Sequence, residues 1–585
     1  MTEPPSPSTP PMRPQAPAAR PSPRTKVVLT GNAAQALETG RTRLLVAGVV
    51  FALAFLVVAW RLVDLALLSQ GREPRIAEAT SPPRLHTGRA DIVDRNGVVL
   101  ATSLPTASLY ADPRQIFDPH EAAAALARAL PALPQSEVRA KLASARSFVW
   151  LKRNLTPREQ YAVNRLGIPG LHFRREPRRI YPHGELTAHI VGFTDVDNNG
   201  LAGIERSFDE VLRTAPDPLA VSLDLRVQHV VAQELAAARG EFRAIGAAAL
   251  VLDAGTGEIL AMVSLPTFDP NQPGLASDDD LFNRASLGVY EMGSVFKIFT
   301  TALALDEGVV TLDDGYDTSR PIRVARFTIT DYKPKNRWLS VPEIFMYSSN
   351  IGAVRMAMEA GTAAQKAFLG RLGLTRPARI ELAEVGQPMV PSPWREINTM
   401  TISYGHGLAV SPVQFVSAVA AVVNGGELYP PTLIKRARGE RLVVRRVIGR
   451  ETSRQMRQLM RLVVRRGTGR KADARGYLVG GKTGTADKLV GGRYARDARL
   501  ASFVGAFPMN DPRYVVFVML DQPTGNKRTH GYATGGWVAA PVVRRVIERI
   551  GPLLRVEPVP ETVEPDASER LLVRAKAGAP RVAAN

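Results

Sequence analysis

A chain of 585 residues is too long for one ordinary core, and its length suits about three or four domains. Lys+Arg 75 against Asp+Glu 55 gives a net charge of +20, which points to nucleic acid, anionic lipid or an anionic polymer as a neighbour. The basic residues are mostly Arg, scattered and without an aromatic-studded basic strip, which disfavours nucleic acid; the lack of any Cys excludes disulfides and thiol chemistry, and eight His with no HExxH-type pair give no metal signal.

Residues 1–42 are rich in Pro, Ala, Ser and Thr, beginning with Pro4, Pro5, Pro7, Pro10, Pro11 and Pro14, and are expected to be a disordered tail. From Leu44 to Trp60 run 17 residues without a charge, bounded by Arg43 and Arg61 and followed by Leu62, Val63, Leu65, Leu67 and Leu68. That segment, 43–68, is long enough to span a bilayer if Arg61 snorkels. It lacks a small-residue cleavage site, so it reads as an uncleaved signal anchor. Arg13, Arg20, Arg24, Lys26, Arg41 and Arg43 outnumber Glu3 and Glu38 before it. Positive charge stays inside, placing the N-terminus in the cytoplasm and everything after about residue 69 outside.

Residues 69–220 read as a structural or docking module without a catalytic constellation. Asp94-Arg95-Asn96-Gly97 between Ile92-Val93 and Val98-Val99-Leu100 predicts a hairpin with a type I′ turn, and a helical stretch follows at about 120–145. Residues 221–555 have a different texture. Ala247 to Asp253 and Glu258 to Leu265 read as a buried hairpin, a helical middle follows, and Leu500 to Phe507 with Tyr514 to Leu520 are strand-like. Strands at both ends with helices between them imply an α+β domain, an antiparallel sheet with helices packed on it. Residues 556–585 are left as a C-terminal tail.

Three constellations in this domain carry chemistry. Gly293-Ser294-Val295-Phe296-Lys297 leads into an apolar run with helical spacing, Ile298, Phe299, Ala302, Leu303 and Leu305. Ser294 and Lys297, three apart on one helix, would be neighbours, so a desolvated Lys297 could take the Ser294 proton while the Ser294 N–H in the first turn faces an oxyanion. A Ser with Lys at this offset also arises by chance as a solvated surface pair, although here Ser294 is the one Ser that has it. Tyr347-Ser348-Ser349-Asn350 lies between two helical patterns, where Ser and Asn serve as helix caps. In a short extended turn, Ser348 and Asn350 would instead point the same way. Gly480-Gly481-Lys482-Thr483-Gly484-Thr485-Ala486 is a strand-edge set suited to gripping a carboxylate and admitting a substrate backbone, and it lacks the spacing of a phosphate loop.

In the order SxxK, SxN, KTG, the three resemble the active-site motifs of penicillin-binding proteins and class A β-lactamases. RADIVDRNGVVLATS at 89–103, LAGIERSFD at 201–209, DAGTGEILAMVSLPTFDPN at 253–271 and SYGHGLAVSPVQ at 403–414 also resemble the class B penicillin-binding proteins. Gly405 and Gly407 read as turn glycines and Ser411-Pro412 as a helix start. Met292 departs from the family, which often has Pro there.

The resemblance implies a penicillin-binding transpeptidase domain preceded by an elongated periplasmic pedestal of the dimerisation type and a single transmembrane helix. It implies a D,D-transpeptidase that cross-links peptidoglycan stem peptides on lipid-linked glycan strands and is acylated by β-lactams. Ser294 would be the nucleophile, Lys297 its base, and Ser348 with Lys482 the proton route to the leaving amine. Asn350 and Thr483 would hold the acyl chain, Lys482, Thr483 and Thr485 would face the carboxylate, Gly484 would admit the substrate backbone, and the N–H groups of Ser294 and Thr485 would form the oxyanion hole. No cofactor or metal is implied. The compact pedestal and short C-terminus resemble the septal cell-division (FtsI) type more than the elongation type, which implies an FtsW-like SEDS glycosyltransferase and other divisome proteins as partners in the inner membrane. Alternatives are an elongation-type transpeptidase, a D,D-carboxypeptidase, a β-lactamase or a β-lactam sensor. A Glu-x-x-Leu-Asn loop for deacylation is missing after Asn350, against the lactamase, and residues 1–40 offer no sensor output domain.

Overall fold

The computed structural model describes residues 45–60, 88–324, 327–437, 439–442, 444–490, 493–559 and 571–572. The chain divides into two units, one ending at Leu85 and one beginning at His86. Of the first, residues 45–60 form an exposed helix. Among the described residues no helix is long and apolar enough to cross a membrane. The remainder of the expected span, the tail before it and most of the C-terminal tail lie outside the described residues.

In the second unit the pedestal is built on one long strand, Val99–Ala111, which pairs with Val149–Leu155 and Leu171–Ile180. The expected hairpin is present, but its turn is not type I′. Only Gly97 takes a positive φ, while Arg95 and Asn96 do not. The cause is Asp94, whose carboxylate accepts the N–H groups of Asn96 (2.7 Å) and Val98 (2.9 Å) and so sets the turn from its first residue. The helical stretch at 120–145 is two helices, Pro119–Ala129 and Gln135–Leu142, because Pro131 and Pro134 interrupt the backbone ladder between them. Their Leu126, Val138 and Leu142 bury against Leu109, Leu151 and Leu155 in a small core of their own.

Where the pedestal meets the catalytic domain, Glu205 is fully buried between Arg89 and Arg179, with Arg179 Nε donating to it at 2.7 Å and Arg89 also paired to Asp209. Ile92, Leu100, Ile190 and Ile204 of the pedestal share one core with Leu250, Phe296 and Phe415 of the catalytic domain.

The catalytic domain has the antiparallel sheet expected of it. Its five strands run in space Gly480–Val490, Arg493–Phe507, Tyr514–Asp521, Gly246–Asp253, Ile259–Leu265, so the sheet joins both ends of the segment. Both faces are covered. Along Gly246–Asp253, Ala248, Leu250 and Leu252 enter the core shared with the helical middle, whereas Ala247, Ala249 and Val251 pack under the helices Leu225–Glu241 and Ala540–Leu553. That alternation of two apolar faces explains the unbroken hydrophobic run. Gly480–Val490 is an edge strand, leaving one row of backbone groups open to an added strand.

Candidate active site

Ser294 does not sit in the α-helix itself. It lies in a 3-10 turn, Gly293–Phe296, entered through Gly293 at φ +61°, and the α-helix Lys297–Asp306 begins at the lysine. The tighter turn still leaves Lys297 Nζ 3.1 Å from Ser294 Oγ. Phe296 and Phe299, edge to face at 5.1 Å, and Phe415 anchor this turn in the core.

The turn is also clamped on two sides by backbone. A Cβ on Gly405 would lie 2.0 Å from the Gly293 carbonyl oxygen, and the Gly293 N–H donates to the Gly405 carbonyl at 3.1 Å. Gly405, at φ +91°, is thus required by close approach as well as by its turn. On the other side, a Cβ on Gly484 would meet the Met292 carbonyl at 2.8 Å and Ser502 Oγ at 2.3 Å. The Cβ side of Gly484 is therefore filled by protein, and the glycine lets the edge strand reach the turn that carries Ser294.

The Ser348-to-Asn350 segment is not an extended turn. Ser348 ends the helix Val341–Tyr347 in a left-handed conformation (φ +63°, ψ +44°), and Ser349 caps the next helix, Asn350–Ala360, by accepting from the Gly352 N–H. This reversal, unusual for a residue with a Cβ, brings Ser348 and Asn350 to the same ammonium. Lys297 Nζ donates to the Ser348 carbonyl (2.7 Å) and Asn350 Oδ1 (2.6 Å) and lies 3.1 Å from Ser348 Oγ. The Asn350 amide is oriented by its own Nδ2, which donates to the Thr330 carbonyl at 2.9 Å. Lys482 reaches Ser348 Oγ from the other side at 2.9 Å. Ser348 Oγ therefore bridges two lysines.

Both lysines are buried, Lys297 at 1% and Lys482 at 0% exposure. Burial pushes the Lys297 amine down from about 10.5 to about 7, against the opposing pull of Asp331. Lys482 is held well below its ordinary value by burial and by the neighbouring Lys297 charge. Two acceptor-only oxygens take two N–H bonds of a neutral Lys297, leaving its lone pair free to accept the Ser294 proton.

Along the edge strand Thr483 Oγ1 lies 2.8 Å from Thr468 Oγ1, and Thr485 Oγ1 accepts the Gly535 N–H at 3.2 Å. Ser294, Lys297, Ser348, Asn350 and Lys482 are thus joined by direct hydrogen bonds, with Thr483 and Thr485 on the strand alongside. Among the described residues no His, Asp or Glu cluster is placed to hold a metal ion.

Sequence reasoning missed three contributors. Asp331 accepts from Ser349 Oγ (2.7 Å), Asn350 N (2.6 Å) and Ile351 N (3.0 Å), holding the start of the Asn350 helix from a loop 19 residues upstream. Thr468 supports Thr483 from the turn before the edge strand. Glu291 accepts from the Gly407 N–H at 2.7 Å and from Tyr494 Oη at 3.1 Å, tying the approach to the Ser294 turn to the 403–411 segment and to the hairpin beyond Asp487. None of the three belongs to a motif. Only the proximity of Glu291 to Ser294 in the chain could have drawn attention to it.

Residues 247–548 match the penicillin binding protein transpeptidase domain and residues 84–224 the penicillin-binding protein dimerisation domain. The chain belongs to the class B penicillin-binding proteins. Among members of this family it is 43% identical to a probable peptidoglycan D,D-transpeptidase FtsI of Caulobacter vibrioides, over 81% of this chain and 83% of that protein. It is 31% identical to the peptidoglycan D,D-transpeptidase FtsI of Escherichia coli K12, over 88% and 92%. Its fold resembles penicillin binding protein 3 of Mycobacterium tuberculosis solved with ampicillin, at TM-score 0.65 and 26% identity, covering 82% of this chain and 98% of that one.

Proposed function

We propose that this class B penicillin-binding protein is an FtsI-type peptidoglycan D,D-transpeptidase acting in septal wall synthesis, with Ser294 as its nucleophile. The observation that carries the reading is Lys297: a buried amine 3.1 Å from Ser294 Oγ, lowered to about 7, with two N–H bonds fixed on the Ser348 carbonyl and Asn350 Oδ1.

In the first step Ser294 Oγ bonds to the penultimate D-Ala carbonyl carbon of a donor stem peptide as its proton passes to Lys297 Nζ. The oxyanion is met by the N–H groups of Ser294 and Thr485. The bond to the terminal D-Ala nitrogen then breaks. The proton reaches that nitrogen through Ser348 Oγ, which Lys297 and Lys482 both contact, and free D-Ala leaves. Lys482, Thr483 and Thr485 hold the terminal carboxylate, while Asn350 and the open edge of Gly480–Val490 hold the acyl chain. In the second step an acceptor amine attacks the ester carbonyl, the bond to Ser294 Oγ breaks, and the proton returns to that oxygen. A β-lactam acylates the same oxygen.

Residues 43–68 anchor the chain in the inner membrane with the N-terminus cytoplasmic and the catalytic domain outside. An FtsW-like SEDS glycosyltransferase supplies the glycan strands, and other divisome proteins bind the pedestal. The test supplies pentapeptide-bearing strands made by such a polymerase and follows the products by mass spectrometry. Cross-linked dimers with one D-Ala released per link are expected. Trimmed tetrapeptides without dimers would make the protein a D,D-carboxypeptidase instead.

A further inference from the structure

Between the end of the helix Leu225–Glu241, the short turn Arg470–Ala472 and the start of the helix Ala540–Leu553 lies an open cavity of about 290 Å³, lined on its charged sides by Arg470, Lys471, Arg528, Arg544 and Arg545 against Glu241 and Asp473. The chain is basic throughout, so a surplus of Arg alone would say little. The pairing of these groups says more. Glu241 is engaged by Arg528 at 3.3 Å, and Arg545 by Glu234 at 2.6 Å. Asp473 is neutralised from outside the cavity, by Arg461 at 2.7 Å and Arg465 at 3.5 Å. Arg470, Lys471 and Arg544 are left without a carboxylate partner among the described residues, and the Lys471 ammonium lies 4.3 Å from the centre of the Trp537 ring on the cavity wall. Several like charges gathered in a concave surface focus a positive potential, which attracts an anion more strongly the more charge it carries.

Two of its walls adjoin residues that contact Thr483 and Thr485. Arg470 and Lys471 follow Thr468, which contacts Thr483, and Trp537 belongs to the short helix Gly535–Val538, whose first N–H donates to Thr485 Oγ1. A Cβ on Gly536 would lie 2.6 Å from the Thr468 carbonyl and 3.5 Å from Thr483 Cγ2. An occupant of the cavity thus rests on the same two elements that support Thr483 and Thr485.

We propose that this cavity is a subsite for an oxyanion carrying two or more negative charges, held by Arg470, Lys471 and Arg544, and separate from the carboxylate grip at Lys482. The inference rests on the transpeptidase reading for its choice of carriers. Within a wall polymer the matching groups are the carboxylates of a stem peptide or the phosphates of a lipid-linked strand.

The test is calorimetric titration of the full chain in detergent with inorganic pyrophosphate and, separately, with citrate, at about 0.02 M and about 0.3 M salt. Saturable binding that weakens with salt is expected for at least one probe; tighter pyrophosphate points to a phosphate carrier and tighter citrate to peptide carboxylates. The double variant Arg470→Gln/Arg544→Gln should bind at least about tenfold more weakly, the loss that follows removal of two charge-assisted contacts. Arg139→Gln, an exposed charge on the pedestal, should bind as wild type. Penicillin labelling of both variants shows that the domain is folded, and binding should persist after Ser294 is acylated. If neither probe saturates, or if the double variant binds as tightly as wild type, the subsite is refuted while Ser294 labelling leaves the transpeptidase reading intact.

Discussion

Asp331 touches none of the reacting atoms, yet the geometry makes it a strong point of failure. It is buried at 9% exposure and accepts three hydrogen bonds, two of them from first-turn N–H groups of the helix that begins at Asn350. Hydrogen bonds to a charged acceptor contribute about 1.5–3 kcal/mol each. Ser349 Oγ would still cap the Gly352 N–H at 3.0 Å after the carboxylate is gone, so Asp331→Ala should cost about 3 kcal/mol of stability rather than the full sum. Asp331→Asn keeps one acceptor oxygen and should cost about 1–2 kcal/mol. The kinetic effect comes through Asn350 and Ser348, which fix two Lys297 protons. A displacement of about 1 Å at a proton-transfer site costs about a hundredfold in rate. Stopped-flow acylation by a chromogenic β-lactam across pH should show that drop for Asp331→Ala. In Asp331→Asn the acid limb should move to lower pH, because the carboxylate is the group holding the Lys297 amine up. Plateau rates within about twofold of wild type in both variants, with an unmoved limb, would refute the view that this loop positions the base.

In the wild type, acylation should rise about tenfold per pH unit below about 7 and level off above it, as Lys297 loses its proton. Folding lowers this pKa from about 10.5, so between about 7 and 10.5 the unfolded chain binds the extra proton. Lys297 therefore adds stability as pH rises through that window, measurable by urea unfolding at a series of pH values. Gly405→Ala puts a Cβ 2.0 Å from the Gly293 carbonyl at a φ of +91° and should cost about 3 kcal/mol or more, with loss of penicillin labelling before loss of the fold. Glu205→Gln leaves Arg89 and Arg179, each about 1% exposed, without their shared carboxylate. A loss of about 3–5 kcal/mol in urea unfolding is expected, with the acylation rate of the folded fraction unchanged.

The parts of this fold legible in the sequence are those set by short-range pattern. The apolar runs at Ala247 and Tyr514 give the central strands, and Ser411-Pro412 gives the helix Pro412–Val423 with its capping box to Gln414. The motif residues Ser294, Lys297, Ser348, Asn350 and Lys482 do converge. What local pattern misjudged was backbone conformation fixed by distant contacts. The 3-10 turn at Ser294 is shaped by Gly405 on one side and Gly484 on the other, and the left-handed Ser348 depends on the helix that Asp331 caps from another loop. The hairpin at Asp94 was legible as a hairpin, but its turn type followed from a side-chain carboxylate that turn propensity does not weigh. Asp331, Thr468 and Glu291 act through partners between 15 and 203 residues away, and no spacing rule reaches that far.

The central claim is that Ser294 forms the acyl-enzyme with Lys297 as its base. Intact-mass measurement of the full chain after incubation with penicillin, followed by peptide mapping, tests it most directly. One adduct per chain on the peptide containing Ser294 is predicted, absent in a folded Ser294→Ala variant and strongly slowed in Lys297→Ala. An adduct on any other residue, or equal labelling of Ser294→Ala and wild type, would contradict it.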